Sequence, residues 1–193
     1  MLLVPGRSGR ADGPPGLVVR ERAGERSATL LARRGQAGRL SDVARATFGV
    51  ELPTTPRAAH GRDLTFAWVG PGQWLVEAPA GDGDIEALLA GPFDGLASIC
   101  EQSDSRVVVE VAGPRVRDVL AKGLPIDLHP ERFRVDDVAV TAVAHVGLQF
   151  RQVSDAPSYR LAIVRSFFGS FWHWLGSSAA EYGCEVLPPG SGY

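Results

Sequence analysis

The chain has 193 residues and is 45% apolar, enough for one packed domain or two small halves and too apolar for wholesale disorder. Its 20 basic residues against 22 acidic ones leave a net charge of −2, which argues against nucleic acid, whose binders carry a basic excess. No apolar run approaches the roughly 20 residues of a membrane span, and the stretch to Arg10 is too poor in apolar side chains for a signal-peptide core, so the expected location is cytoplasmic.

Residues 1–26 are rich in Gly, Pro and Arg without a period and read as a flexible arm. The folded part is expected over 27–187, with a loose tail over 188–193. An apolar run at Thr29–Ala32 opens it. Leu40, Val43, Ala44 and Phe48 then recur at helical spacing, and Gly49 closes that helix. Two alternating runs follow. Leu64, Phe66 and Trp68 share one face, Trp74 and Val76 another, and Gly70, Pro71 and Gly72 between them mark a hairpin. Asp82 and Asp84 introduce a helix that turns Ile85, Leu88 and Leu89 inward, and Gly91 and Pro92 end it.

The second half repeats this order. Val107, Val109 and Val111 alternate along a strand, Gly113 and Pro114 start a helix with Val116, Val119 and Leu120 inward, and Gly123 caps it. Strands are expected over 138–144, 146–153 and 159–164, and Ser166 is expected to cap the last helix. Each half therefore reads β-α-β-β-α, with an extra strand in the second. The expected fold is α+β: two related halves, about 27–95 and 104–187, with helices packed on antiparallel sheets. The last helix carries Phe168, Phe171, Trp172, Leu175, Ala179 and Tyr182 in one stripe, with Phe167 and Trp174 outside its centre. Such a helix is either a core helix or one covered by a partner.

No catalytic constellation emerges from the residues, and no catalytic, cofactor-binding or metal-binding residue is assigned. There is no nucleophile elbow, no H-E-x-x-H, no EF-hand loop and no P-loop. His60, His129, His145 and His173 are scattered. Cys100 and Cys184 stand outside any C-x-x-C and read as free thiols. Gly81, Gly83 and Glu86 imitate a dinucleotide fingerprint, but Glu86 replaces its third glycine, and Asp82 and Asp84 would repel a pyrophosphate. They read as helix-capping acids. Glu101, Asp104 and Arg106 read as a solvated turn or as a salt-bridging patch to another chain.

One stretch is familiar. Ser105 to Arg115 leads through Arg117-Asp118-Val119-Leu120-Ala121-Lys122-Gly123 to Asp127-Leu128-His129-Pro130. In this order it resembles the "G-P-R-x-R-D-V-L-x-K-G" and "D-L-H-P" segments of the sarcosine oxidase gamma-subunit family. Trp68, Gly70, Pro71, Trp74 and Leu75 resemble that family's "W-x-G-P-x-x-W-L" hairpin, and Arg165 to Phe167 with Trp172 to Leu175 its closing "R-x-S-F…W-x-W-L" helix. The resemblance spans about residues 27–183. It implies the folate-binding aminomethyltransferase and YgfZ-like fold, although Leu124 and Pro125 after Lys122-Gly123 break the K-G-C-Y motif of YgfZ-like proteins. It further implies a non-catalytic gamma subunit beside alpha, beta and delta subunits, chiefly alpha, of an oxidase in which FAD, FMN, NAD, tetrahydrofolate and zinc belong to the partners. A free-standing tetrahydrofolate-binding one-carbon protein and an assembly factor are the alternatives. The candidate interface residues are Trp68, Trp74, Arg165, Phe167, Trp172 and Trp174.

Overall fold

The computed structural model of the chain describes residues 3–189. In chain order its elements are β1 (Gly6–Ser8), β2 (Leu17–Glu21), β3 (Arg26–Ala32), α1 (Ala37–Phe48), β4 (Ala58–Gly61), β5 (Leu64–Gly70), β6 (Gln73–Ala78), α2 (Ile85–Ala90) and β7 (Ala97–Glu101). Then come β8 (Arg106–Ala112), α3 (Val116–Ala121), β9 (Val138–Val143), β10 (Val146–Ser154), β11 (Ser158–Val164), α4 (Phe168–Ala179) and β12 (Cys184–Leu187). They form two compact units: an inserted one, residues 24–104, and a split one, residues 3–23 with 105–189.

The inserted unit holds a five-stranded antiparallel sheet in the order β4-β5-β6-β3-β7. Leu40, Ala44 and Phe48, one helical row of α1, join Ile85 and Leu89 of α2 over Leu30, Phe66 and Val76 of the strands. The Phe48 ring lies 6.0 Å from Phe66 and 5.6 Å from Phe93. Gly49 ends α1 at φ 67°, a left-handed cap that a side chain would strain. Asp84 starts α2 by accepting from the N–H groups of Glu86 and Ala87 at 2.8 and 3.0 Å.

The split unit holds a seven-stranded sheet in the order β1-β12-β2-β8-β11-β10-β9, with one parallel pair, β12 with β2. Val107, Val109 and Val111 alternate toward Tyr159, Leu161 and Ile163 and toward the apolar faces of α3 and α4. Phe150 stacks on Tyr159 with ring centroids 5.0 Å apart.

The α+β class stands, and so does the internal repeat. Each unit runs β-α-β-β-β-α-β, as β3 to β7 and again as β8 to β12. The sheet orders correspond strand for strand, except that β2 inserts between β8 and β12 where β3 and β7 pair directly, and β1 adds a strand beyond β12. The alternation over 27–187 missed β4, β7 and β12, which are four or five residues long and too short to show a period.

The expected arm over 1–26 is replaced by β1, β2 and the start of β3; Met1 and Leu2 lie outside the described residues. Arg and Gly around Leu17-Val18-Val19 hide a strand that gains its pairing only from β8 and β12, both distant in sequence. The unit boundaries accordingly differ from the halves 27–95 and 104–187. Gly190–Tyr193 of the expected tail lie outside the described residues. Ser166 does not cap α4: Arg165–Phe167 form a 3₁₀ turn, and Phe167 occupies the cap position without a side-chain bond. Pro114 likewise stands before the N-cap Arg115 of α3 rather than at its first helical position.

Candidate functional site

The six candidate residues fall into two groups. In the inserted unit, Trp68 and Trp74 face each other directly across the β5–β6 hairpin. Trp74 is 4% exposed, and its Nε1–H donates to the Pro53 carbonyl at 2.9 Å. Trp68 is half-buried on the same cluster. With Leu52, Pro53, Thr54 and Pro71 they wall a cleft of about 270 Å³ whose lining carries no charged side chain. It can seat an aliphatic group but offers no acid, base or nucleophile pair.

In the split unit, Phe168, Phe171, Leu175 and Ala179 are buried, so the aromatic stripe of α4 is chiefly a core stripe. Trp172 stacks on Phe168 at 6.4 Å and Trp174 packs on Phe171 at 6.0 Å, both half-buried. The outward positions of α4 are Gly169, Ser170, His173 and Ser177. Only the start of the segment exposes candidate residues. Phe167 is 54% exposed, and the exposed Arg165 donates from Nη2 to the Arg106 carbonyl at 3.3 Å.

The other polar groups singled out from the sequence do not gather into a site. All four histidines are exposed. In the loop before α2 the Arg26 guanidinium donates to the carbonyls of Pro79 and Gly83, at 3.2 and 2.7 Å. A Cβ on Gly83 would lie 2.7 Å from Arg26 Nη1, so this glycine makes room for an arginine of the same chain. Glu101 and Asp104 are exposed around the crossing to β8, and Arg106 is half-buried. Cys100 is exposed and Cys184 is buried, both as free thiols. Burial, and then the charge of Glu185, push the Cys184 thiol up to about 11. Among the described residues no three His, Cys, Asp or Glu side chains gather as metal ligands.

A second cleft, of about 710 Å³, escaped the sequence reading. It lies at the turns after β8 and β10, lined by Ala112, Pro114, Val153 and Pro157, with Glu110 and Ser158 among its polar groups. Ser158 Oγ donates to Glu110 Oε1 at 2.8 Å, and Arg22 stands 3.9 Å from Oε2. On the next strand, burial and then the like charge of Arg22 pull the Arg160 guanidinium down to about 10. The one trace in the sequence was a glutamate set among the valines of β8.

A profile of the sarcosine oxidase, gamma subunit family matches residues 34–181. The chain belongs to this family. It is 29% identical over 172 residues to a sarcosine oxidase subunit gamma from Arthrobacter sp, covering 89% of this chain and 84% of that one. It is 28% identical over 173 residues to the corresponding subunit of Corynebacterium sp. (strain U-96), covering 84% of each. Its structure is similar to a chain of the heterotetrameric sarcosine oxidase from Corynebacterium sp. U-96 in complex with pyrrole 2-carboxylate. The TM-score is 0.75 at 26% identity, over 86% of this chain and 85% of that one. The aminomethyltransferase T of a Bartonella henselae glycine cleavage system shares the fold, with a TM-score of 0.66 at 11% identity over 91% of this chain and 48% of that one.

The geometry explains the residues that carried the resemblance to the gamma-subunit family. Gly113 has φ 122°, and a Cβ there would meet the Gly16 carbonyl oxygen at 2.6 Å. Arg115 pairs with Asp118 at 3.0 Å and lies over the Tyr182 ring. Arg117 Nε donates to the Tyr159 hydroxyl at 2.9 Å. Lys122 donates to the Ser178 carbonyl at 2.6 Å and to the Glu181 carboxylate, joining the end of α3 to the end of α4. Trp174 lies against Gly123. Asp127 accepts from the His129 N–H at 2.9 Å to shape the turn. These are fastenings of the split unit, and none of them pairs a nucleophile with a base.

Proposed function

We propose that this chain is the gamma subunit of a heterotetrameric sarcosine oxidase-type complex and contributes assembly and structural support rather than reacting groups. The observation that carries the reading is the likeness to a chain of the Corynebacterium oxidase over 86% of this chain. The partners are then alpha, beta and delta subunits, chiefly alpha, and FAD, FMN, NAD, tetrahydrofolate and zinc reside on them. The reaction of such a complex takes sarcosine, tetrahydrofolate and O2 to glycine, 5,10-methylenetetrahydrofolate and H2O2. The proposed location is the cytoplasm; among the described residues no helix is long and apolar enough to cross a membrane. Of the six candidate contacts, Arg165 and Phe167 are exposed enough to meet a partner without repacking. Trp74 belongs to the core because its ring is buried and its N–H already has an acceptor.

The test is affinity purification of the tagged chain from its native lysate, with a visible spectrum and mass identification of co-purifying chains. A flavin spectrum with larger and smaller oxidase chains is the expected result. A colourless lone chain would overturn the reading and bring the free-standing folate protein forward, for which calorimetry with tetrahydrofolate is the next step.

A further inference from the structure

The split unit's sheet ends, on one side, in an edge without the usual safeguards. Open edges present unpaired N–H and C=O groups, and sheets protect them with short strands, charges, proline or bulges. β9 reads Val-Ala-Val-Thr-Ala-Val, with no charge and no proline over its 6 residues. Its pairing with β10 runs without a bulge from Val138 opposite Arg151 to Val143 opposite Val146. Among the described residues no strand pairs with its other side. Val140 is 56% exposed in mid-strand, and Ala142 is exposed on the same face. The other edges are guarded: β1 has 3 residues and Arg7, β4 has 4 residues, and the exposed positions of β7 are Ser98, Cys100 and Glu101.

We propose that an extended strand of a partner subunit completes this edge in the assembled oxidase. This rests on the subunit reading. Main-chain hydrogen bonds would supply the affinity, with side chains packing beside Val140 and Ala142 supplying the fit. Charge defines the occupant. Val140 and Ala142 present exposed methyl groups, and no charged side chain lies between Val138 and Val143, so an apolar strand gains contact here while a charged one finds no partner. The occupant is therefore an uncharged, apolar strand. A complex of four different chains contains no second copy of this edge, so the strand comes from another subunit.

The experiment compares hydrogen exchange of the free chain with that of the purified complex, and the capture of oxidase subunits by wild type and by Val140→Lys. Val140 is exposed, so the substitution leaves the free chain folded, which circular dichroism checks. The expected results are exchange over residues 138–143 slowed at least about tenfold in the complex, and capture by Val140→Lys reduced at least about tenfold. Equal capture by both chains with unchanged exchange would overturn the edge proposal and leave the subunit reading intact. Failure of wild type to capture the oxidase chains would overturn both. Concentration-dependent protection of the edge in the free chain, with a dimeric mass that the complex does not displace, would assign the edge to a second copy and overturn the proposal.

Discussion

Gly123 lies where Trp174 leaves no space for a methyl group. A Cβ at this position would be 2.9 Å from Trp174 Cζ2 and Nε1, inside van der Waals contact. Gly123→Ala should therefore displace the half-buried indole and lower stability by about 1–3 kcal/mol. Urea denaturation with tryptophan emission reads both effects, and an unchanged midpoint would show that Trp174 moves at no cost. The thiols differ for a similarly local reason. At neutral pH Cys100 should be alkylated in the folded chain, while Cys184 should react only after unfolding, as peptide mass mapping would show. Because the folded Cys184 thiol is raised to about 11, the unfolded chain loses this proton first as pH rises. The contribution to stability is thus full below the ordinary thiol range and declines from there toward about 11. A denaturation midpoint that rose across this window would contradict that sign. Little of this was legible beforehand. Lys122 and Gly123 stood out as a motif, but their roles depend on Ser178, Glu181 and Trp174 of another helix.

β2 is the element whose importance was least visible. It pairs with β8 on one side and β12 on the other, so removing it separates β12 and β1 from the rest of the seven-stranded sheet. Deletion of residues 2–23 should therefore yield insoluble or non-cooperatively unfolding protein rather than a trimmed but intact domain. Expression with circular dichroism distinguishes these, and a soluble product with an unchanged thermal transition would refute the assignment. Its neighbour Gly16 is held by bonds on both sides. Its N–H donates to the Tyr182 carbonyl at 2.9 Å, and its own carbonyl accepts from Arg115 N–H at 2.9 Å. α1 and β8 were readable because their apolar residues recur at helical and alternate spacing over 12 and 7 residues. α4 was readable as a helix, and its aromatic residues left two readings open. Packing of Phe168, Phe171 and Leu175 into the core settled most of that, leaving Phe167 outside.

At the scale of the molecule, the inserted unit is one continuous stretch with its own sheet, two helices and core, whereas the split unit needs both ends of the chain. A fragment of residues 24–104 should therefore fold alone with a cooperative thermal transition, and residues 105–193 alone should not. A disordered far-ultraviolet spectrum for the first fragment would show that its core needs the remaining chain. The amino-acid sequence by itself determined the α+β class, the presence of an internal repeat, and the gamma-subunit family, because alternation, helical spacing and an ordered set of short motifs are local properties of the chain. Only the tertiary structure decided that the N-terminal segment is sheet, that the motif residues fasten α3 to α4, and that β9 lies at a sheet edge. Each of these depends on groups brought together from distant positions, such as Leu17 beside Cys184 and Lys122 beside Ser178, and no local pattern encodes them.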